Sequence, residues 1–249
     1  MKLYHNWLSS ASRRVRLTLA EKNIAYESIP LDLSVGDQHK PEYVAINPNG
    51  VVPTLQLDDG RVIYEASFIC EYLDDLVPEP RLRPVDPYQL AKMRIFMRFI
   101  DERMLPHLIV LNWSIGLQPI ASKWSDQQLK ERLARIPTLE RREAWSRIAR
   151  NPYTDKEKSL ALAGLLTLVD KVDEMLANSP WVIDGQFSIA DIAAFVFVTR
   201  GVELAPAHVQ KRPRVVAWLK SIQERPSYAK AKIGSFSKGS GTRVEKGKL

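Results

Sequence analysis

The chain has 249 residues, of which 45% are hydrophobic and 26% charged, and a formal net charge of +7. This composition predicts a globular protein with enough apolar residues for one large domain or two small ones. Its single cysteine, Cys70, excludes an intrachain disulfide and a thiolate cluster for zinc, and we expect no metal site. No apolar run approaches the ~20 residues of a membrane-spanning helix, and the N-terminus lacks a signal-peptide core. We therefore expect a cytoplasmic protein without a membrane partner.

The positive charge is concentrated at the C-terminal end. Residues 230–249 carry +5 of the +7, on a stretch that is rich in glycine, serine and lysine. This composition predicts a basic, disordered tail over residues 233–249. Because the rest of the chain is close to neutral, the overall charge does not indicate a nucleic-acid partner.

Residues 1–77 predict a small domain of mixed strands and helices. KLYHNWL reads as a strand, SRRVRLTLAEKN as a helix with Ser12 as its N-cap, and YESIPLDL as a second strand. Two apolar runs joined by Asp59-Gly60 predict a hairpin, and helical spacing predicts a helix over ASFICEYLDDL. The order is therefore strand, helix, strand, loop, hairpin, helix.

Residues 78–86 are rich in proline and predict a linker, after which strand signals nearly vanish. Residues 87–232 predict an all-helical domain. Its first helix should begin after Asp86 and run to about Ile115, and its last should lie between Pro213 and Pro226. Ser188 and Asp191 are expected to form a structural capping pair. Further helices are expected over 126–134, 138–150, 155–177 and 188–204.

The stretch INPNGVVPTL, residues 46–55, places Pro53 at the entrance of a predicted strand. Proline has no N–H group, so it costs a strand one ladder hydrogen bond. If the preceding peptide bond is cis, Val52 can offer its own N–H and C=O to a bound peptide. A trans proline in an edge strand is the alternative, and the sequence does not decide between the two.

Four stretches together resemble the cytosolic glutathione transferase superfamily. They are, in order, LYHNWLSSASRRVRLTLAEKNIAYE, INPNGVVPTL, IYEASFICEYL and FSIADIAAF. The resemblance implies an α+β, thioredoxin-like N-terminal domain followed by an all-α C-terminal domain. It also implies glutathione as co-substrate and a homodimer.

The same resemblance implies a glutathione site. Val52, before Pro53, would hold the cysteinyl part, and Glu65 with the amide of Ala66 would hold the γ-glutamyl end at a helix N-terminus, which suits a carboxylate. The family commonly has Glu-Ser there, so one hydroxyl contact is either lost or supplied by Ser67. The glycyl carboxylate is expected to meet Gln38, His39 and Lys40.

The group that activates the thiol should lie in WLSSASRRVR. A thiol with a pKa of about 8.5 becomes reactive once a hydroxyl hydrogen bond and a helix N-terminus stabilise the thiolate. Ser9 falls where serine-type transferases keep their catalytic hydroxyl, with Ser10 next to it, and backbone amides alone are a third option. The stretch also resembles the SSCS pattern of zeta-class isomerases, although Ala11 replaces their cysteine. Cys70 is expected to lie in the core.

Residues 46 to 230 further resemble the bacterial glutathione-dependent β-etherases of lignin degradation. This implies thiolate attack on the carbon that bears an aryl ether beside a ketone, with loss of a phenolate. Such chemistry requires an apolar slot and a donor for the carbonyl oxygen. A zeta-like isomerase and a non-catalytic ligand-binding protein are the alternatives. The candidates to line the slot are His107, Asn112 and Trp113, and then Trp124, Trp145 and Tyr153.

Overall fold

The computed structural model describes residues 1–183 and 185–235. The basic tail predicted from residue 233 lies outside the described residues from residue 236 onward. Within the described part of the chain, no helix is both long and apolar enough to cross a membrane.

The N-terminal part is built on a four-stranded sheet in the order β2-β1-β3-β4. Strand β1 pairs in parallel with β2 and antiparallel with β3, and β3 pairs antiparallel with β4. Turn chemistry explains the β3–β4 hairpin, because Gly60 adopts a φ of +87° at its tip. The strands are β1 (Lys2–His5), β2 (Glu27–Pro30), β3 (Thr54–Gln56) and β4 (Val62–Tyr64).

Two amphipathic helices, α1 (Ser10–Glu21) and α3 (Ala66–Leu76), pack against one another beside the sheet. A 3-10 turn (Asp37–His39) and the short helix α2 (Pro41–Val44) lie in the connection from β2 to β3. Neither short element was predicted, because residues 31–45 lack an apolar period long enough to indicate a helix.

The predicted N-cap of α1 was wrong. The helix begins three residues earlier, since Ser9 has extended backbone angles and its Oγ accepts a hydrogen bond from the Ser12 amide at 3.2 Å. Ser12 is fully buried, and its hydroxyl accepts from the amide of Asn6. Both serines satisfy the composition rule for a cap, and only the backbone conformation distinguishes them.

The C-terminal part is entirely helical in the described residues. The predicted long helix is continuous but contains a π-helical turn at Ile100–Met104, between α4 and α5. Short helices α6, α11 and α13 were not predicted. The bounds are α4 (Pro87–Phe99), α5 (Leu105–Gly116), α6 (Gln118–Ala121), α7 (Asp126–Arg135), α8 (Leu139–Arg150), α9 (Asp155–Met175), α10 (Ile189–Leu204), α11 (Pro206–Gln210), α12 (Pro213–Gln223) and α13 (Pro226–Lys230).

Helix α10 is buried on almost all sides and forms the centre of the core. The predicted structural role of its capping pair is confirmed: Asp191 Oδ2 accepts from the amide and hydroxyl of Ser188. The other carboxylate oxygen accepts from the Val182 amide and from Trp218 Nε1, both within 2.9 Å. Full satisfaction of this buried carboxylate ties α12 and the chain before α10 to the core.

Candidate functional site

The predicted site segments converge at one edge of the sheet. The register places Tyr4 of β1, Thr54 of β3 and Tyr64 of β4 in one row across three strands. The chain leaves β1 toward Ser9, enters β3 from Val52 and leaves β4 toward Glu65, all on that side of the row. Sheet topology therefore brings together segments that are far apart in sequence.

The loop before β3 is held by a buried polar network. The Asn47 amide group donates to Val51 O at 2.9 Å and to Thr54 Oγ1 at 2.8 Å. The Tyr43 hydroxyl also contacts both atoms, and burial raises the pKa of this phenol to about 12. The loop is thus held by Asn47 and Thr54 of the motif together with Tyr43 of the preceding helix α2.

Val52 has its backbone free for a ligand. The Val52–Pro53 bond is cis, which the sequence left open, and Glu79–Pro80 is a second cis bond. Strand pairing starts only at Thr54, and no hydrogen bond joins the N–H or C=O of Val52 to another described residue. A bound peptide can therefore pair with Val52 in β-ladder fashion.

Ser9 stands at the N-terminus of α1. Asn6 Oδ1 accepts from the amides of Leu8 and Ser9, which fixes the loop that carries the hydroxyl. As an N-cap, Ser9 Oγ acts as an acceptor, so its own proton can be donated to a ligand. The first-turn amides of Ser10 and Ala11 have no intrahelical acceptor. Hydroxyl, amides and helix dipole together suit a thiolate.

The γ-glutamyl candidates lie at the start of α3. Glu65 is exposed and adopts a φ of 72°, uncommon for a residue with a side chain. The buried side chain of Ala66 supplies no hydrogen bond. The Ser67 hydroxyl is already engaged, because it donates to Asp101 and accepts from Arg14, each at 2.5 Å. Ser67 can still offer its first-turn amide to a carboxylate.

The three glycyl candidates differ in charge and burial. Burial, aided by the guanidinium groups of Arg141 and Arg132, lowers the pKa of His39 to about 4, so His39 is neutral near pH 7. Lys40 is exposed and forms an ion pair with Asp37 at 2.8 Å. Gln38 is buried, and its Oε1 has no hydrogen-bond partner among the described residues.

An aromatic cluster from the helical part covers this end of the site. Trp145 of α8 stacks on Trp124 and packs against Trp113, with ring centroids 5.5 and 5.3 Å apart. The rings of His39 and Trp145 form a T-shaped pair, with their centroids 6.1 Å apart. Tyr153 belongs to the same cluster. Trp113, Trp124, Trp145 and Tyr153 therefore form one cluster, which contacts the glycyl end through Trp145. Their role in the slot remains a prediction.

The other two slot candidates have specific contacts on α5. The His107 ring lies over Gly164 of α9, where an added Cβ would come within 2.4 Å of Nε2. Asn112 Oδ1 accepts from Arg200 Nε of α10 at 2.9 Å. His107 therefore packs α5 against α9, whereas Asn112 connects α5 to α10 through its hydrogen bond with Arg200. Their predicted slot role is left as a prediction.

A cavity of about 350 Å³ opens at Trp7 and Leu8, the two residues before Ser9. It lies between the β1–α1 loop and the C-terminal segment. Arg13 forms part of its wall, although only 1% of this residue is exposed to solvent. Burial lowers the pKa of Arg13 to about 10, which leaves the guanidinium charged near pH 7. The lining residues are Trp7, Leu8, Arg13, Lys232, Ile233, Gly234 and Ser235.

Other reactive groups in the described chain do not form a competing site. Cys70 is fully buried as predicted, and burial raises the pKa of its thiol to about 11. No cluster of histidine, cysteine and carboxylate side chains suited to a metal occurs among the residues described. The sheet edge can bind a peptide backbone and stabilise a thiolate, and the cavity near Ser9 has both apolar and charged side chains in its lining.

Two family profiles match the chain on either side of the linker. The profile for the glutathione S-transferase N-terminal domain matches residues 8–76, and the one for the C-terminal domain matches residues 137–226. The chain belongs to the glutathione transferase family. It is an enzyme of that family with glutathione as its co-substrate, and the α+β and all-α parts described above are the family's fold.

Two kinds of relative of this glutathione transferase bear on its reaction. Protein LigF of Sphingobium sp. strain SYK-6 is 32% identical over 91% of both chains, and the crystal structure of β-etherase LigF superposes with a TM-score of 0.84, covering 92% of this chain and 97% of that one. The maleylacetoacetate isomerase of Pseudomonas aeruginosa is 42% identical over 38% of this chain and 45% of its own length. A maleylacetoacetate isomerase of Methylobacterium extorquens, solved with malonate and GSH, is 27% identical with a TM-score of 0.62, covering 93% and 95%.

Sequence reasoning missed several residues that build this transferase site. Asn6, Asn47 and Tyr43 hold the loops that carry Ser9 and Val52, and Arg13 lines the cavity. The run Arg13-Arg14 in a helix otherwise packed on the core was the available signal for Arg13. The C-terminal lining, residues 232–235, had none, because its composition matched that of the basic tail.

Proposed function

We propose that this glutathione transferase cleaves β-aryl ethers of lignin-derived aromatic ketones. The observation that carries the proposal is its similarity to LigF, which extends over 91% of both chains and through both domains. The proposal assigns glutathione to the sheet edge and the aryl substrate to the cavity beside Ser9.

In this proposal Ser9 is the activating residue. Its Oγ–H donates to the glutathione sulfur, and the free amides of Ser10 and Ala11 face the same charge at the positive end of α1. The thiol proton is released to solvent. The resulting thiolate attacks the carbon bearing the aryl ether, the C–O bond breaks, a thioether forms and the phenolate leaves. A phenolate needs no acid catalyst to depart, so no further titratable group is required.

The glutathione ligands follow the same assignment. Val52, which precedes Pro53, pairs with the cysteinyl backbone, and Glu65 receives the γ-glutamyl amine. The amides of Ala66 and Ser67 meet the adjoining carboxylate. The glycyl end lies near Gln38, His39 and Lys40. The roles of Val52 and Glu65 are supported by their positions next to β3 and β4 at the sheet edge.

Arg13 is the proposed donor to the carbonyl oxygen. Its guanidinium lines the cavity, and its electrostatic neighbours Arg200 and Glu203 lie on α10, where Arg200 also holds Asn112. A charged donor in a desolvated wall stabilises the developing negative charge on the ketone oxygen. Trp7, Leu8 and Ile233 supply apolar surface for the rings. Asn112 stands behind this wall, one hydrogen bond from Arg200.

A zeta-type isomerase is the second candidate, since the isomerase of Pseudomonas aeruginosa matches part of the chain at 42% identity. That match spans 96 residues and less than half of the isomerase. Ala11 also replaces the cysteine of the SSCS pattern. Both points favour ether cleavage over isomerisation.

The test is incubation of the purified protein with glutathione and a β-aryl ether ketone, with phenol release measured against a no-enzyme control. Glutathione-dependent release well above that control supports the proposal. Saturable glutathione binding without release would contradict ether cleavage and direct the search to other electrophiles. Isomerisation of maleylacetoacetate in the absence of phenol release would favour the second candidate.

We also propose a homodimer that works in the cytosol, where reduced glutathione is maintained. Helices α3 and α4 are joined by an ion pair between Glu71 and Arg94 at 2.6 Å. Phe68 and Ile95 are 67% and 71% exposed on them, large apolar side chains that a partner copy would cover. Light scattering should give twice the chain mass, and Ile95→Glu should give a monomer. A wild-type mass equal to one chain would contradict the dimer.

A further inference from the structure

Helix α8 packs directly against the glycyl end of the glutathione site. Pro137, just before the helix, lies so close to Gly50 that an added Cβ would come within 3.0 Å of its Cδ. Gly50 also has a φ of +59°, a conformation that glycine adopts without strain. Trp145 meets the edge of His39 from the same helix. The helical part thus contributes a surface to the pocket that the N-terminal part begins.

Arg141 lies one helical turn before Trp145, on the same side of α8. Its side chain is half-buried. Burial lowers the pKa of its guanidinium, and the carboxylate of Glu65 acts in the opposite direction. Arg141 also acts electrostatically on His39. Arg141 therefore lies within electrostatic reach of residues at both ends of the predicted glutathione site. Among the described residues, its guanidinium has no hydrogen-bond partner and no ion-pair partner within 4 Å.

Among residues 1–183 and 185–235, the glycyl end has no other half-buried cation without a partner. His39 is neutral near pH 7, and Lys40 is paired with Asp37. Arg132 donates to Val35 O and stacks on Trp124. Arg135 lines the cleft beside His39 but is exposed to water. A carboxylate at this end of the site would find Arg141 partly desolvated, where a charge-assisted pair is strongest.

We propose that Arg141 is a glutathione-binding residue that pairs with the glycyl carboxylate across the domain boundary. The inference rests on the glutathione site of the proposed function and is independent of which electrophile is attacked. It gives α8 a direct part in substrate binding. A planar guanidinium is suited to bidentate recognition of a carboxylate.

The test combines a protein substitution with a change in the ligand. Glutathione and glutathione monoethyl ester, in which the glycyl carboxylate is blocked, are titrated by calorimetry into wild type and Arg141→Gln. Wild type should bind the ester about tenfold more weakly than glutathione, as expected for loss of a charge-assisted pair. Arg141→Gln should bind both ligands alike, and Arg141→Lys should recover part of the difference.

Arg135→Gln is the matched control, because it removes the same charge near the same cleft from an exposed position. It should keep the wild-type discrimination between glutathione and the ester. Undiminished discrimination in Arg141→Gln would overturn the proposal, as would equal losses in the two variants. If Arg141→Gln fails to fold, Arg141→Lys decides, because a lysine cannot form the bidentate pair. It should discriminate against the ester less strongly than wild type, and discrimination equal to that of wild type would contradict the proposal.

The result is separable from the proposed function. A wild-type protein that binds glutathione in an Arg141-dependent way but releases no phenol keeps this inference and loses ether cleavage. If wild type and Arg141→Gln release phenol equally fast at low glutathione concentration, ether cleavage is kept and this inference is lost. A 4-aminobutyryl analogue, which lacks only the γ-glutamyl carboxylate, tests whether Arg141 pairs with that carboxylate instead. If wild type prefers glutathione to this analogue and Arg141→Gln does not, the glycyl assignment is contradicted.

Discussion

In the proposed glutathione site, the sheet edge offers mainly backbone atoms and one hydroxyl, whereas the helical side offers rings and guanidinium groups. The first region depends on chain direction: Val52, Glu65 and Ser9 reach the site because their strands share a register. The second depends on packing, as when Trp145 meets His39. The difference suggests that the sheet edge serves the constant co-substrate and the helices set its surroundings.

The contrast also explains what could be predicted from sequence. Strand and helix order, the capping pair at Ser188 and the buried state of Cys70 followed from local patterns and are confirmed. The contacts of His107 could not be foreseen, because its closeness to Gly164 depends on how α5 crosses α9. Arg13 and Arg141 occupy their places for the same reason. Local patterns indicate helices, but they do not give the angle between them.

The largest expected effect is on the helical side. Trp145 is 5% exposed and packs on two other tryptophans and His39, so Trp145→Ala should lower the free energy of unfolding by about 3–5 kcal/mol. It should also raise the KM for glutathione, because α8 loses its contact with the site. Urea denaturation and steady-state kinetics measure the two effects.

Trp181→Ala is the control for that substitution. Trp181 packs on Phe187, away from the sheet edge, so its loss should reduce stability and leave the glutathione KM unchanged. An unchanged KM in Trp145→Ala as well would break the comparison, since the helical side would then have no influence on glutathione.

The next effect is on the sheet edge. Ser9→Ala should lower kcat/KM about 100-fold, or about 2.7 kcal/mol, because one donor to the thiolate is removed while the backbone contacts persist. The glutathione Kd should change little. Loss of the N-cap should also cost about 1 kcal/mol of stability.

Ser125→Ala separates capping from catalysis. Ser125 caps α7 through the same kind of hydrogen bond, to the amide of Gln128 at 3.2 Å. This variant should lose similar stability and keep full activity. Wild-type turnover by Ser9→Ala would move the activating role to Ser10 or to the backbone amides.

An intermediate effect concerns two buried histidines of the N-terminal part, His5 and His39. Burial lowers the pKa of His5 to about 3 and that of His39 to about 4, each from 6.5. Both are neutral when folded, so the unfolded state binds more protons below pH 6.5. The stability that they contribute is therefore present above pH 6.5 and is lost as the pH falls toward 4.

Each histidine should add about 1.4 kcal/mol per pH unit to the acid slope of the unfolding free energy over that window. His5→Gln and His39→Gln should each remove about one such increment in urea denaturation at a series of pH values. A slope that one substitution leaves unchanged would mean that this histidine is charged in the folded protein.

The smallest expected effect restores the family's usual residue at the sheet edge. Ala66→Ser would supply the missing hydroxyl at the N-terminus of α3, and a neutral hydrogen bond is worth about 1 kcal/mol. Glutathione should bind a few-fold more tightly by calorimetry, with kcat unchanged. Weaker binding would indicate that the buried side chain at this position does not face the ligand.

The most direct measurement is titration of the thiol of bound glutathione, followed by thiolate absorbance in the ultraviolet. Activation by Ser9 and the N-terminus of α1 requires the pKa of the bound thiol to fall clearly below the value of about 8.5 typical of a free thiol. We expect a decrease of one to two units in wild type, on the order of other activated thiols, and a smaller decrease in Ser9→Ala. A bound thiol that titrates like free glutathione in wild type would contradict thiolate activation at the sheet edge.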